Sequence, residues 1–219
     1  MEALNDNKKI MVSRENNYRI LSLLYQTEVT EELYNKLKTL DYETVKSLEI
    51  SEGYAMIESF INENRKDPLT DLAVEYAGVF LGAGAVDKYK SANPYGSVYT
   101  HPERLIMQDE RDKVVAIYRK HGVDKKQGFD VPEDHISIEL EFMAYLCSAA
   151  KECGDQTKFR EYLEIQKEFI TKHLLNWIPQ FNQDILRLSK TDFYKGLAVL
   201  TLDLIKADLE LIEEMLSEN

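Results

Sequence analysis

At 219 residues, with 44% hydrophobic and 10% aromatic side chains, the chain has enough apolar material to bury a sizeable core and is not a disordered one. Its net charge of −12 argues against a binder of phosphate backbones, which needs clustered Lys and Arg, and suits a basic partner instead. Nine Gly and five Pro are few for this length, so turns are sparse and an all-α fold is expected.

The amino terminus, Met-Glu-Ala-Leu-Asn-Asp, has no basic region followed by an apolar one. The uncharged run Tyr76 to Val86 is far short of the roughly 18 residues that span a bilayer. The expectation is a cytoplasmic protein without membrane insertion. Taken in order, residues 15–25 read as a helix with Ile20, Leu21, Leu23 and Leu24. Thr30 followed by Glu31 and Glu32 gives a cap and an acidic first turn for a second helix carrying Leu33, Leu37 and Leu40, completing a hairpin. Ser51-Glu52-Gly53 precedes a periodic segment with Tyr54, Ile57, Phe60 and Ile61, which ends in the polar stretch 62–67 before Pro68. A helix over 69–81 has Leu72, Tyr76, Val79 and Phe80 on one side and stops where Gly82-Ala83-Gly84 turns the chain.

Residues 83–100 read as a long loop whose aromatic pair, Tyr95 and Tyr99, either pins it to the core or serves function. Glu110 to Lys120 is the next helix, and the polar connector 122–130 is a candidate hinge. At Pro132, with Glu133 and Asp134 suited to the positive end of a helix dipole, another helix is expected to start. Ile136, Leu140, Met143 and Cys147 fall at helical spacing, widened by Ile138, Phe142, Tyr145 and Leu146, so most of this helix should be buried. Helices over 157–176 and 191–216 close the chain.

Asp134 beside His135, at the mouth of that apolar helix, is either a cap hydrogen-bonded into the surface or a recognition or catalytic pair. Conventional catalytic motifs are missing. No Glu-x-x-His pair exists for a di-metal site, and His135 with Glu139 is the only close metal-like pair among His101, His121, His135 and His173, so no metal is expected. Gly82-Ala83-Gly84 follows a helix and lacks a third glycine, and neither a GxxxxGK[ST] loop nor a GxSxG elbow occurs, so no cofactor is expected. Cys147 and Cys153 match neither a redox pair nor a zinc framework and read as reduced thiols.

The string 132–143, PEDHISIELEFM, resembles the signature of the TorD/DmsD/NarJ family of redox-enzyme maturation chaperones, with Val131 where that family usually has Glu. Three further blocks are similar to the family's in order: Tyr76-Ala-Gly-Val-Phe80-Leu-Gly82, Pro94-Tyr-Gly-Ser-Val-Tyr99 with Tyr where Trp is common, and His173-Leu-Leu-Asn-Trp177-Ile-Pro179-Gln-Phe181. The resemblance implies a single-domain helical bundle of the TorD/DmsD-like type, about ten helices, that is not an enzyme. It implies binding of the twin-arginine signal peptide, and of the body, of a molybdopterin-containing oxidoreductase before export.

On that reading Asp134 pairs with the leader's arginines, aided by His135. Tyr76, Val79, Phe80, Pro94, Tyr95 and Tyr99 line an apolar groove, and Ser97 is a polar contact. Exchange of C-terminal helices across 122–130 would give a homodimer. Two rivals remain open at this point: a helical nucleotide- or small-molecule-binding enzyme using Asp134 and His135, and a general helical interaction scaffold.

Overall fold

The computed structural model describes residues 2–40, 51–84, 91–125 and 129–217, without the side chains of 2–6 and 51. All regular elements among them are helices, and none is long and apolar enough to cross a membrane. In order they are α1 (Glu2–Gln26), α2 (Glu31–Lys38), α3 (Ser51–Asn62), α4 (Pro68–Val79), α5 (Gly96–Thr100), α6 (Asp109–Lys120), α7 (Ile136–Glu152), α8 (Gln156–Phe169), α9 (Leu175–Leu188) and α10 (Asp192–Ser217). A π turn, Ile170–Leu174, joins α8 to α9.

Local chemistry accounts for most boundaries. Thr30 caps α2 by accepting from Leu33 N at 3.2 Å. Asp67 does the same for α4 through Thr70 N, with Pro68 in the first turn, where its missing N–H costs nothing. Asp155 caps α8 through Lys158 N at 2.8 Å. Gly82 and Gly84 both adopt left-handed φ, 67° and 77°, which a glycine reaches without strain.

Three expectations are corrected. The stripe in α2 buries Tyr34 and Leu37, while Leu40 lies beyond the helix end and is exposed. The loop expected over 83–100 ends in the short helix α5, with 85–90 outside the described residues. The helix expected to end at Asn176 instead widens into the π turn and continues as α9 to Leu188. Pro179 lies inside α9, where its nitrogen has no hydrogen to give to the Leu175 carbonyl.

The chain divides into two compact units, the first formed by 1–23, 95–177 and 205–219, the second by 24–94 and 178–204. The connector 122–130 lies inside the first, with 126–128 outside the described residues. The first unit is centred on α7, whose Ile136, Leu140, Met143 and Cys147 are all fully buried as the spacing predicts. Phe142 packs against Tyr118 and Phe169 at 4.8 and 4.9 Å between ring centroids. A buried ion pair sits in the same unit: Arg14 donates to Asp208 (Nη2 to Oδ2, 2.9 Å) and to Gln166, and the Tyr18 hydroxyl donates to Asp208 at 2.6 Å. Burial works against the Arg14 charge, but Asp208 outweighs it and holds the guanidinium firmly protonated.

In the second unit, Tyr25, Tyr76, Phe80, Phe181 and Tyr194 form an aromatic core, with Tyr76 donating its hydroxyl to the Tyr25 carbonyl at 3.0 Å. There α3 and α10 cross at two glycines. A Cβ on Gly53 would stand 2.6 Å from Leu200 N, and one on Gly196 would stand 2.6 Å from the Gly53 carbonyl oxygen.

Candidate functional site at the amino end of α7

The helix expected at Pro132 starts four residues later. His135 N donates to the Pro132 carbonyl at 3.1 Å, closing a turn, and His135 itself is extended (φ −69°, ψ 136°), as the cap of α7. A bridge between His135 and Tyr95, with Gly96 N donating to the Asp134 carbonyl at 2.9 Å, holds this backbone out of the helix. Tertiary pairing has thus overridden the start that Pro132 and its acidic neighbours favour locally.

The side chain of Asp134 is fully buried. Its Oδ2 accepts from Ser97 N at 2.7 Å, capping α5 from outside, and its Oδ1 makes no hydrogen bond among the described residues. Burial pushes its carboxyl above the usual range and nearby Glu110 adds to that, although the Ser97 hydrogen bond opposes both. Ser97, also fully buried, passes the hold onward: its hydroxyl accepts from Gln108 N at 3.1 Å, at the start of α6. A chain of contacts therefore runs from Asp134 through Ser97 to the end of the 101–108 segment.

The His135 ring is 3% exposed, and burial lowers its pKa to about 4, so it is neutral at pH 7. Its Nδ1 accepts from Ser137 N at 3.2 Å and lies 2.7 Å from the Ser137 hydroxyl, which places the ring proton on Nε2. Tyr95 stands edge-on to it at 5.0 Å. Tyr99 stacks on Trp177 at 5.7 Å, the Arg104 guanidinium lies 4.8 Å above Tyr99, and Trp177 Nε1 donates to Glu139 Oε2 at 3.0 Å.

Three carboxylates outside the expected site residues surround this cluster, and two of them, Glu139 and Glu110, are buried. Glu139 is fully buried, and burial drives its carboxyl well above the ordinary range despite the Trp177 hydrogen bond. Glu110 pairs with His173 Nδ1 at 2.7 Å and with Lys113 at 3.1 Å, and these outweigh its burial and keep it charged. Glu133 is held down to about 2: burial opposes ionisation, but Arg111 at 2.6 Å and Lys125 at 3.2 Å prevail. A signal existed for two of them. Glu139 lies three residues after Ile136 on the buried stripe, and Glu110 four before Val114 on the buried side of α6.

Of the expected site residues, the first unit brings together Tyr95, Ser97, Tyr99, Asp134 and His135, with Tyr95 and Tyr99 half-buried and the other three fully enclosed. Tyr76, Val79, Phe80 and Pro94 belong to the second unit, where all four are buried. Gly96 sits in close quarters, where a Cβ would stand 3.2 Å from Glu110 Cγ, 3.3 Å from Trp177 Nε1 and 3.4 Å from Glu139 Oε1. Three of the four sequence blocks, those at 94–99, 132–143 and 173–181, thus supply the residues of one packed cluster.

In this all-α chain, three of the four motif blocks are thus spent in fastening the amino end of α7 to its surroundings. Residues 47–183 match the family model described as nitrate reductase delta subunit. The chain is 31% identical over 156 residues to the chaperone protein TorD of Vibrio cholerae serotype O1, covering 71% of this chain and 69% of that one. It is 28% identical over 206 residues to the TorD chaperone of Aliivibrio salmonicida, covering 89% and 92%. Its fold is similar to a crystal structure from Archaeoglobus fulgidus described as a redox enzyme maturation protein, with a TM-score of 0.50, 19% identity, and 91% and 93% of the two chains covered. The chain belongs to the nitrate reductase delta subunit family, the TorD/NarJ group of redox-enzyme maturation chaperones.

Proposed function

We propose that the chain is a cytoplasmic chaperone that binds the twin-arginine leader, and the body, of a molybdopterin-containing oxidoreductase and holds it until its cofactor is in place. The observation that carries this reading is the likeness to proteins named as chaperones over 71% of the chain. Physical chemistry supports it. Such a leader offers two guanidinium groups and then an apolar helix-prone stretch, and a chain of net charge −12 with apolar side chains at its surface is complementary to both.

Within the first unit, Tyr95 and Tyr99 are the rings offered to the leader, and Asp134, His135 and Ser97 keep them in place. Tyr76, Val79, Phe80 and Pro94 are buried side chains of the second unit, and the reading gives them a packing role there. Direct pairing of Asp134 with an arginine would use Oδ1, which makes no hydrogen bond among the described residues, and would require the fully buried carboxyl to become accessible. The reading assigns no catalysis to Asp134 and His135, since the imidazole Nδ1 is engaged by Ser137. Exchange of C-terminal helices across 122–130 would appear as a dimer in sedimentation.

Co-expression tests the reading. The chain should co-purify with a twin-arginine molybdoenzyme precursor and be lost from the same precursor lacking its leader. Equal recovery from both forms would refute leader binding.

A further inference from the structure

We infer that the segment 103–112 of the first unit is the surface on which the apolar stretch of a twin-arginine leader lies, which rests on the function proposed above. Leu105, Ile106 and Met107 are 49%, 47% and 55% exposed. Among the described residues no other three consecutive large apolar side chains face solvent; the remaining exposed ones are scattered singly over α1, α4, α9 and positions 40 and 81.

This display is built rather than slack. Arg104 and Met107 both adopt left-handed φ, 53° and 62°, an uncommon state for residues other than glycine, and they bracket the apolar pair between them. Each end is tied: Arg104 N donates to the His101 carbonyl at 3.0 Å, Gln108 N to the Ser97 hydroxyl at 3.1 Å, and Gln108 Nε2 to the Ile106 carbonyl at 3.0 Å. Through Ser97 the anchor reaches the buried Asp134, so the motif carboxylate acts here as a positioning residue.

Charge decides between occupants. From 103 to 112 the chain carries four carboxylates against two guanidiniums, with Glu103, Asp109 and Asp112 exposed. The basic groups nearby are engaged: Arg104 over Tyr99, Arg111 with Glu133 and Asp112, Lys113 with Glu110. An apolar triplet rimmed by acid matches a peptide that is basic and then apolar. A second copy of this acidic chain would bring like charges to the rim.

The test is fluorescence anisotropy with a labelled synthetic peptide, an arginine pair followed by a Leu/Ala-rich stretch. Wild type is expected to bind it, and the variant combining Leu105→Ser, Ile106→Ser and Met107→Ser to bind at least about tenfold more weakly. The single variant Ile106→Asp, which leaves its two neighbours intact, should also weaken binding. Glu103→Gln with Asp109→Asn should weaken it at low salt and much less at high salt. If wild type and the triple variant bind alike, the surface assignment is overturned while the chaperone reading stands. If wild type does not bind the peptide, both fall. A wild-type dimer that the triple variant makes monomeric, with peptide affinity unchanged, would assign the surface to a second copy and overturn the inference.

Discussion

At the scale of residues, Asp134 carries the most distinctive role. Asparagine at 134 keeps an oxygen that accepts from Ser97 N, whereas alanine leaves that amide buried and unsatisfied, at a cost of about 1–3 kcal/mol. Asp134→Asn should therefore retain leader affinity and Asp134→Ala should lose it, with faster hydrogen exchange at the Ser97 and Gln108 amides. A direct arginine partner would behave differently, because both variants would then bind equally poorly. His135 predicts a pH dependence. Its folded pKa, lowered by burial to about 4 against an ordinary value of 6.5, means that the unfolded chain takes up the proton first. Stability from this group is complete above pH 6.5 and is lost as pH falls towards 4, by about 3 kcal/mol in all. His135→Asn, which keeps a capping oxygen but does not titrate, should flatten that part of the melting-temperature profile between pH 7 and 4.5. An unchanged acid slope would place the titration elsewhere.

At the scale of elements, periodicity identified most helices because most bury one continuous stripe. The boundaries that differed from expectation have physical reasons. Pro132 with two acidic neighbours is a good local helix start, but the pairing of His135 with Tyr95, forty residues earlier, is invisible to local pattern and moves the start to Ile136. The π turn at Ile170–Leu174 was equally hidden, because it preserves apolar spacing on either side. The buried carboxylates of Glu110 and Glu139 lay on apolar stripes and were legible in principle, whereas their partners His173 and Trp177 were not. Of the two glycines at the α3–α10 crossing, the sequence places Gly53 just ahead of a periodic segment, and nothing in its pattern sets Gly196 apart. Gly53→Ala or Gly196→Ala should cost about 2–3 kcal/mol, since backbone rather than a movable side chain stands in the way. Gly78→Ala, on α4 with nothing within 4 Å, should instead add about 0.5–1 kcal/mol. Urea denaturation of the three variants checks both signs together.

At the scale of the whole molecule, the all-α class followed from scarce Gly and Pro and from long apolar stripes, and the family from four short blocks in order. The grouping of three of those blocks around one helix end could not be read from their spacing, because it depends on how α5, α6, α7 and the π turn pack. The most telling motif residues, Ser97, Asp134 and His135, are buried, whereas Tyr95 and Tyr99 of the same blocks are half-buried and the exposed 105–107 triplet belongs to no block. The most direct measurement is a calorimetric titration of the chain with a twin-arginine leader peptide and with the same peptide carrying Gln-Gln in place of Arg-Arg. The account predicts saturable binding at micromolar affinity or tighter, about −8 kcal/mol or more favourable, weakened at least tenfold by the replacement. Absence of saturable heat, or equal affinity for the two peptides, would contradict it.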